Sequence, residues 1–291
     1  MSTGKNLDWR KSSHQAFKKA KTISITGGKG GVGKTSVALK LSKTLASTGR
    51  KVLLIDCDYN LSNTAVKLGI SLSDNFRGFV SGEKKFEECI YTDGNLDLLS
   101  ACNGNLELFD HGTDIEKIIL DVIYTREQYY DYIFLDCPAG LNRETLTLNA
   151  YSDERIIVVV PDKSSITDSY SLIKILNNRY GVKDNFLLVN RVSSQEQFLR
   201  LIKTMSDTIE KYLNFSIKIL GNLRNEVSSS DQFDKILLGE ENDLHKDFCK
   251  IVQKLTEDDR HEGQFDKPFV KKESRSRLLS RTLNKELRPQ L

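Results

Sequence analysis

Gly28-Lys29-Gly30-Gly31-Val32-Gly33-Lys34-Thr35 follows the apolar run Thr22–Thr26 and opens a helical pattern that continues to Thr48. Closely spaced glycines let consecutive backbone N–H groups converge on one anion, and the N-terminus of the following helix adds partial positive charge. In a G-x-x-x-x-G-K-T loop set between strand and helix, the lysine after the last glycine reaches the β- and γ-phosphates of a nucleotide. The next hydroxyl can ligate Mg2+. Here those residues are Lys34 and Thr35, so Gly28, Lys29, Gly30, Gly31, Val32, Gly33, Lys34, Thr35 and Ser36 form the expected phosphate cradle. Lys29 is the unusual member. A lysine at the start of the loop does not easily turn into the nest that Lys34 fills, so it either neutralises charge on a nucleotide held by a second subunit or faces solvent.

Outward from the loop, short apolar runs alternate with stretches of helical length. The spacing predicts strands at Thr22–Thr26, Val52–Asp56, Leu96–Ser100, Tyr132–Asp136, Arg155–Val160, Phe186–Asn190 and Ile217–Leu220. Helices are expected over Lys34–Thr48, Asp114–Tyr130, Ser165–Tyr180, Gln195–Leu213 and Leu244–Leu255. Runs such as Ile156-Ile157-Val158-Val159-Val160 lack polar alternation, as strands buried on both faces do. The fold class that follows is α/β, a mostly parallel doubly wound sheet with helices on both faces. Ligands in such folds bind beyond the carboxyl ends of the strands.

Two further strands end in carboxylates. Leu53-Leu54-Ile55-Asp56-Cys57-Asp58 places two of them one residue apart, so that one can support Mg2+ or a mobile loop and the other can position a water. Ile133-Phe134-Leu135-Asp136-Cys137-Pro138-Ala139-Gly140 ends in an aspartate suited to Mg2+, followed by a turn that Gly140 leaves free to move. Thr35, Asp136 and one of the pair Asp56 and Asp58 are therefore the candidate metal set, and Lys29 and Lys34 with the other member of that pair the candidate catalytic set. Asn190 and Arg191 end a later strand, where Asn190 can meet the base; the position an N-K-x-D motif reserves for a guanine-pairing aspartate is Ser193. Guanine thus loses its best partner while Asn190 can hydrogen-bond adenine, and ATP with Mg2+ is the expected ligand.

The 291 residues carry a net charge of +3, distributed unevenly. Residues 1–21 hold a local +5, residues 267–291 a local +6, and the body between them −8. The expected organisation is a basic extension over 1–21, an ATPase domain over 22–260 and a basic tail over 261–291. Basic ends suit an anionic surface, lipid or nucleic acid, or remain solvated. In the tail, Leu278, Leu279, Leu283 and Leu287 fall on one side of a helix and Arg277, Arg281, Lys285 and Arg288 on the other. That pattern fits a membrane-surface helix, a helix docking on a protein, or a disordered tail. Five cysteines without a C-x-x-C pair suit a reducing cytosol and argue against a paired-cysteine metal site. No apolar run spans a membrane, so a cytoplasmic protein, at most peripheral to a membrane, is expected.

The loop with its extra lysine resembles the deviant Walker A motif of the MinD/ParA family of ATPases. The D-x-D at Asp56 and Asp58 and the D-x-P-A-G at Asp136–Gly140 resemble that family's two switches. The resemblance covers roughly residues 21–260. It implies an ATP-sandwiched homodimer in which Lys29 crosses the interface, Asp58 orients the attacking water and Asn190 contacts the base. Within the family, the stretch from Pro161 to Lys174 and the later Leu187-Leu188-Val189-Asn190-Arg191-Val192 are similar to the FlhG/FleN (YlxH) branch, which implies control of flagellar number or placement. Locally, Ser165-x-x-Asp168 reads as a capping box, with Leu172, Ile173 and Leu176 as core.

That branch often begins with a D-Q-A-x-x-L-R element that contacts an FlhF-like GTPase. Here it reads His14-Gln15-Ala16, with Lys19 and Ala20 at the last two positions. Relatives carry Ile-Pro after the last strand, where this chain has Leu223-Arg224. Division-site control of MinD type and DNA partitioning of ParA type are the alternative roles, DNA binding being the less expected. A metal-cluster carrier or reductase on the same scaffold would need cysteines facing each other at a dimer axis; Cys137 lies close to the second switch, but the absence of a C-x-x-C pair argues against this reading.

Overall fold

The stretch Thr22-Ile23-Ser24-Ile25-Thr26 is extended because its β-branched residues suit a pleated strand, yet every second residue is polar. A computed structural model, which describes residues 19–58, 63–70, 75–100 and 114–262, shows how a sheet's interior accepts this. Strand β1 (Lys21–Thr26) lies between β5 (Tyr132–Asp136) and β6 (Glu154–Val159), both parallel to it. Ile23 and Ile25 enter one apolar layer. On the opposite face, Ser24 Oγ donates to Asn149 Oδ1 at 2.9 Å, and Asn149 Nδ2 donates to Thr26 Oγ1 at 3.2 Å. A buried hydroxyl without a partner would cost ~1–3 kcal/mol, and Asn149 satisfies two of them.

The sheet has eight strands in the order β3-β4-β2-β5-β1-β6-β7-β8. Those not yet placed are β2 (Val52–Asp56), β3 (Ile90–Asp93), β4 (Leu96–Leu99), β7 (Asn185–Val192) and β8 (Lys218–Arg224). Pairing is parallel throughout except for β3 on β4. The expected α/β class and its parallel sheet are thus present. The antiparallel edge strand β3 is an addition the sequence did not announce, because its residues are mostly exposed.

Alternation divides each inner strand between two layers. On β5, Tyr132 and Phe134 face one layer, while Ile133 and Leu135 face the other. On β6 the same split puts Ile156 and Val158 opposite Ile157 and Val159. The first layer is covered by α1 (Lys34–Ser47), α8 (Ser230–Leu238) and α9 (Asp243–Glu262). The second is covered by α4 (Ile115–Arg126), α5 (Arg143–Tyr151), α6 (Lys163–Tyr180) and α7 (Gln195–Leu213). Short helices α2 (Asn63–Lys67) and α3 (Asn75–Val80) follow β2. Buried Lys40 of α1 donates to Gly239 O at 2.7 Å, joining α1 to the end of α8.

The expected capping box at Ser165 and Asp168 is not formed. The helix begins two residues earlier, and its N-cap is Asp162, whose carboxylate accepts from the Ser165 N–H. Leu172, Ile173 and Leu176 are fully buried, as expected. The His14-Gln15-Ala16 element, Cys102 and the leucine-bearing tail lie outside the described residues.

One buried cation ties the end of α5 to the start of β7. Arg155, 1% exposed, donates to the carbonyls of Asn149, Ser152, Asp153 and Asp184 and to Asn185 Oδ1. Arg155→Met keeps much of the volume but strands these acceptors, and it is expected to lower unfolding stability by about 3 kcal/mol. A urea melt within about 0.5 kcal/mol of wild type would show that the carbonyls find other donors.

Candidate functional site

Helix α1 starts without help from a side chain. Gly33 is its N-cap in a left-handed conformation, with φ +96°, and neither a capping side chain nor an acidic residue serves the first turn. By contrast α5, α6 and α7 are capped by Asn142, Asp162 and Ser194. The first N–H groups of α1 therefore point, unpaired by any cap, to where the strands end, which is the arrangement that binds an anion.

The loop's shape is imposed by close approach. A Cβ on Gly28 would sit 2.2 Å from the Asp168 carbonyl carbon and 2.5 Å from the Ser169 nitrogen, both backbone atoms of α6. A Cβ on Gly33 would sit 2.5 Å from Asn190 Nδ2. Gly30 and Gly31, on the loop's outer turn, meet nothing within 4 Å, so that side is open to a ligand. Asn190 Nδ2 donates to Val32 O at 2.8 Å, and Asn190 Oδ1 accepts from the Arg191 N–H at 2.9 Å. The asparagine expected to read the base thus also buttresses the loop, a role 158 residues distant in sequence. Arg191 takes a positive φ of 57° there, a conformation that turns the chain sharply beside the loop.

Asp56 and Asp136 are neighbours in register on β2 and β5, and both are buried. Burial first, then the adjacent Asp56, pushes the Asp136 carboxyl up to about 8, against the Thr35 hydrogen bond and Lys34. Asp136 Oδ1 is buried with no partner. A divalent cation would reverse this balance by favouring both ionised carboxylates. The Thr35 hydroxyl, the orphaned Asp136 oxygen and Asp56 form a hard oxygen set, which suits Mg2+ held mainly through phosphates and water. Burial lowers Lys34 from its usual value, opposed by Asp136, Cys137 and Asp58. Asp58 is half-buried just beyond β2, its N–H donating to Asp56 Oδ1 at 3.0 Å.

Lys29 does not turn into this cradle. Its Nζ donates to Ser164 Oγ at 2.6 Å and lies 3.3 Å from Asp162 Oδ1. Ser164, the Ser165 N–H and Lys29 together hold the Asp162 carboxyl down at about 2. Sequence reasoning missed Asp162 and Ser164 as partners of the loop, although an acidic residue at the end of a buried strand was the available signal. Cys137 is 1% exposed, and burial pushes its thiol up. A thiol so placed is poorly suited to ligate a cluster shared across a dimer axis.

Beside Gly33 a cavity of about 430 Å³ opens between α1 and the β8–α9 wall. Ser36, Val37, Asn190 and Arg191 line one side. Leu223, Arg224, Phe233 and Phe248 line the other, which sequence reasoning had left without a role apart from the departure at Arg224. Its size and its mixture of apolar walls with a few polar groups suit an aromatic base.

This arrangement defines a P-loop ATPase, and comparison with known proteins agrees. A family model described as an AAA domain (AAA_31) matches residues 20–187, and the chain belongs to that family. Its relatives are MinD/ParA-type ATPases. It is 27% identical to the antiactivator FleN of Pseudomonas aeruginosa over 68% of this chain and 71% of that protein. It is 27% identical to the septum site-determining protein MinD of Bacillus subtilis, covering 80% and 88%. The flagellum site-determining protein YlxH of Helicobacter pylori is 31% identical, with 70% of each chain covered. The cell division ATPase MinD of Pyrococcus furiosus superposes with a TM-score of 0.68 at 23% identity, over 82% of this chain and 99% of that one. The MinD of Aquifex aeolicus gives 0.63 at 27% identity, over 82% and 97%.

The contact between Gly28 and α6 generates a test. Gly28→Ala must displace either the loop or the α6 backbone, and it is expected to weaken ATP binding by at least about tenfold while leaving the far-UV circular dichroism unchanged. An alanine variant that binds ATP like wild type would mean the loop has room the geometry does not provide.

Proposed function

We propose that the chain is an ATP-dependent dimerisation switch, most closely allied in role to proteins that set flagellar number or placement. The observation that carries the switch is Lys29. It lies against Asp162 and Ser164, outside its own phosphate cradle, and so remains free to exchange those partners for a nucleotide on a second copy of the chain. ATP would occupy the cradle of Gly28–Ser36, with its base in the cavity beside Asn190 and Arg191. Thr35, Asp56 and Asp136 would hold Mg2+, which supplies charge neutralisation at the β- and γ-phosphates.

In this reading Lys34 neutralises the phosphates and Lys29 of the second subunit adds charge where it builds up in the transition state. Asp58 orients a water in line with the γ-phosphorus, and the bond to the ADP oxygen breaks as that water adds. Gly140, at φ +102° in the turn after Asp136, lets the second switch relax once phosphate leaves. Turnover is slow and stimulated by a partner, and Mg2+ is required.

The flagellar role is supported by FleN and YlxH among the relatives. MinD of B. subtilis covers more of the chain at similar identity, so control of a division site is the second reading. Candidate partners are flagellar regulators, including an FlhF-like GTPase, and an anionic membrane surface met by the basic tail. The protein would then work in the cytoplasm and cycle to the inner face of the membrane. In Mg-ATP, Asp58→Ala is expected to accumulate as a dimer by light scattering, whereas Lys29→Ala binds ATP and stays monomeric. A monomeric Asp58→Ala protein at saturating ATP sinks the mechanism. Anionic liposomes should retain the ATP-bound protein only while residues 267–291 are present; salt-sensitive retention on random duplex DNA instead would move the assignment to a partitioning role.

A further inference from the structure

The cavity beside Gly33 has one wall made of separate pieces. Leu223 and Arg224 come from the end of β8, Phe233 and Leu237 from α8, and Leu244 and Phe248 from α9. An aromatic base is held by such a wall only if the pieces keep their spacing, because dispersion contacts decay within a fraction of an ångström. At this end α9 is held against β8 by the buried Leu244 and Phe248, packed in one apolar cluster with Leu220 and Leu223, and by a polar fork that fixes their spacing. Arg224 Nε donates to Asp247 Oδ2 at 2.7 Å and Nη2 to Asp247 Oδ1 at 3.2 Å, while Nη1 donates to Asp243 Oδ2 at 3.0 Å. Two carboxylates one turn apart on α9 are thus gripped by one guanidinium, and Phe248 is the residue after Asp247.

The fork is anchored on its own side as well. Val192 of β7 pairs with Arg224, and the Asn225 N–H donates to Val192 O at 3.0 Å. Val192 directly follows Asn190 and Arg191, which buttress the phosphate loop. The far half of α9 is tied separately, by Lys254 Nζ donating to Ile219 O at 2.7 Å. Releasing Arg224 therefore loosens the cavity end of the helix and leaves the other end attached. Asp247 is 7% exposed, and its other ion pair is the exposed Lys250 at 3.8 Å, a contact too long to replace the fork. A lysine at position 224 would offer a point charge without the planar bidentate match.

We propose that Arg224 is a positioning residue for the base: it sets α9 at the spacing at which Leu244 and Phe248 pack against the ring, and so tunes affinity for the nucleoside half of the ligand without touching the phosphates. This rests on the nucleotide reading above.

The test separates base from phosphate. The full-length chain, Arg224→Met and Arg224→Lys are titrated calorimetrically with Mg-ATP, Mg-ADP and inorganic tripolyphosphate with Mg2+. For Arg224→Met, both nucleotides are expected to bind about tenfold more weakly and tripolyphosphate to stay within about twofold, with Arg224→Lys between it and wild type. Unchanged nucleotide affinity in Arg224→Met overturns the proposal, and so does an equal loss for tripolyphosphate, which would mark a general loosening. If Arg224→Met does not fold, Asp247→Asn carries the same comparison, with a several-fold, base-dependent loss expected and no loss overturning it. A wild-type chain that binds none of the three ligands overturns the nucleotide reading and this inference together.

Discussion

A helix that begins on glycine, with no side chain to accept from its first N–H groups, leaves donors that something else must satisfy. Helix α1 is in that position, and much of the surrounding architecture serves it. The central strand delivers the loop to the sheet's carboxyl edge. The α6 backbone presses on Gly28 from one side, and Asn190 holds Val32 from the other. Asp56 and Asp136, brought level by parallel register, supply negative charge close to Lys34 and Thr35. Burial and the adjacent Asp56 raise the Asp136 carboxyl above its usual range. A ligand of the proposed kind, bearing phosphate and a divalent cation, would offset both the uncapped N–H groups and the crowded carboxylates.

The second half of the sheet depends on buried polar contacts more than its apolar runs suggest. Arg155 gathers carbonyls from two chain segments, and Asn149 satisfies two hydroxyls of the central strand. These contacts explain why β1 can carry serine and threonine at the heart of the sheet. They also place α5 so that the turn from Asp136 to Gly140 runs directly into it.

The parallel strands and the long helices were legible because their signals are local. Val52–Asp56, Tyr132–Asp136 and Gln195–Leu213 have the bounds that periodicity predicts. Helix α5 was not, because Arg-Glu-Thr-Leu-Thr-Leu-Asn-Ala-Tyr is short and its buried Asn149 and Thr145 read as surface. Strand β3 was missed for the opposite reason: it is exposed, and only its pairing with β4 makes it a strand. The start of α6 was misread because serine and aspartate are both good caps, and the choice between Asp162 and Ser165 depends on where the preceding strand ends. Within the site, the loop and the carboxylates could be read from motif spacing. The Lys29–Asp162 contact, the Asn190 buttress and the β8–α9 wall join residues more than a hundred positions apart or on separate elements, and no local pattern encodes them.

The tether on Lys29 bears on how tightly two copies of this chain can hold each other. A lysine that waited free in water would add its whole interaction with a neighbouring phosphate to the association. One that must first leave a carboxylate and a hydroxyl adds only the difference between two pairings of similar kind. In a dimer of the proposed type, this exchange keeps assembly shallow in free energy. Departure of the γ-phosphates would then return each lysine to its own subunit and let the pair separate.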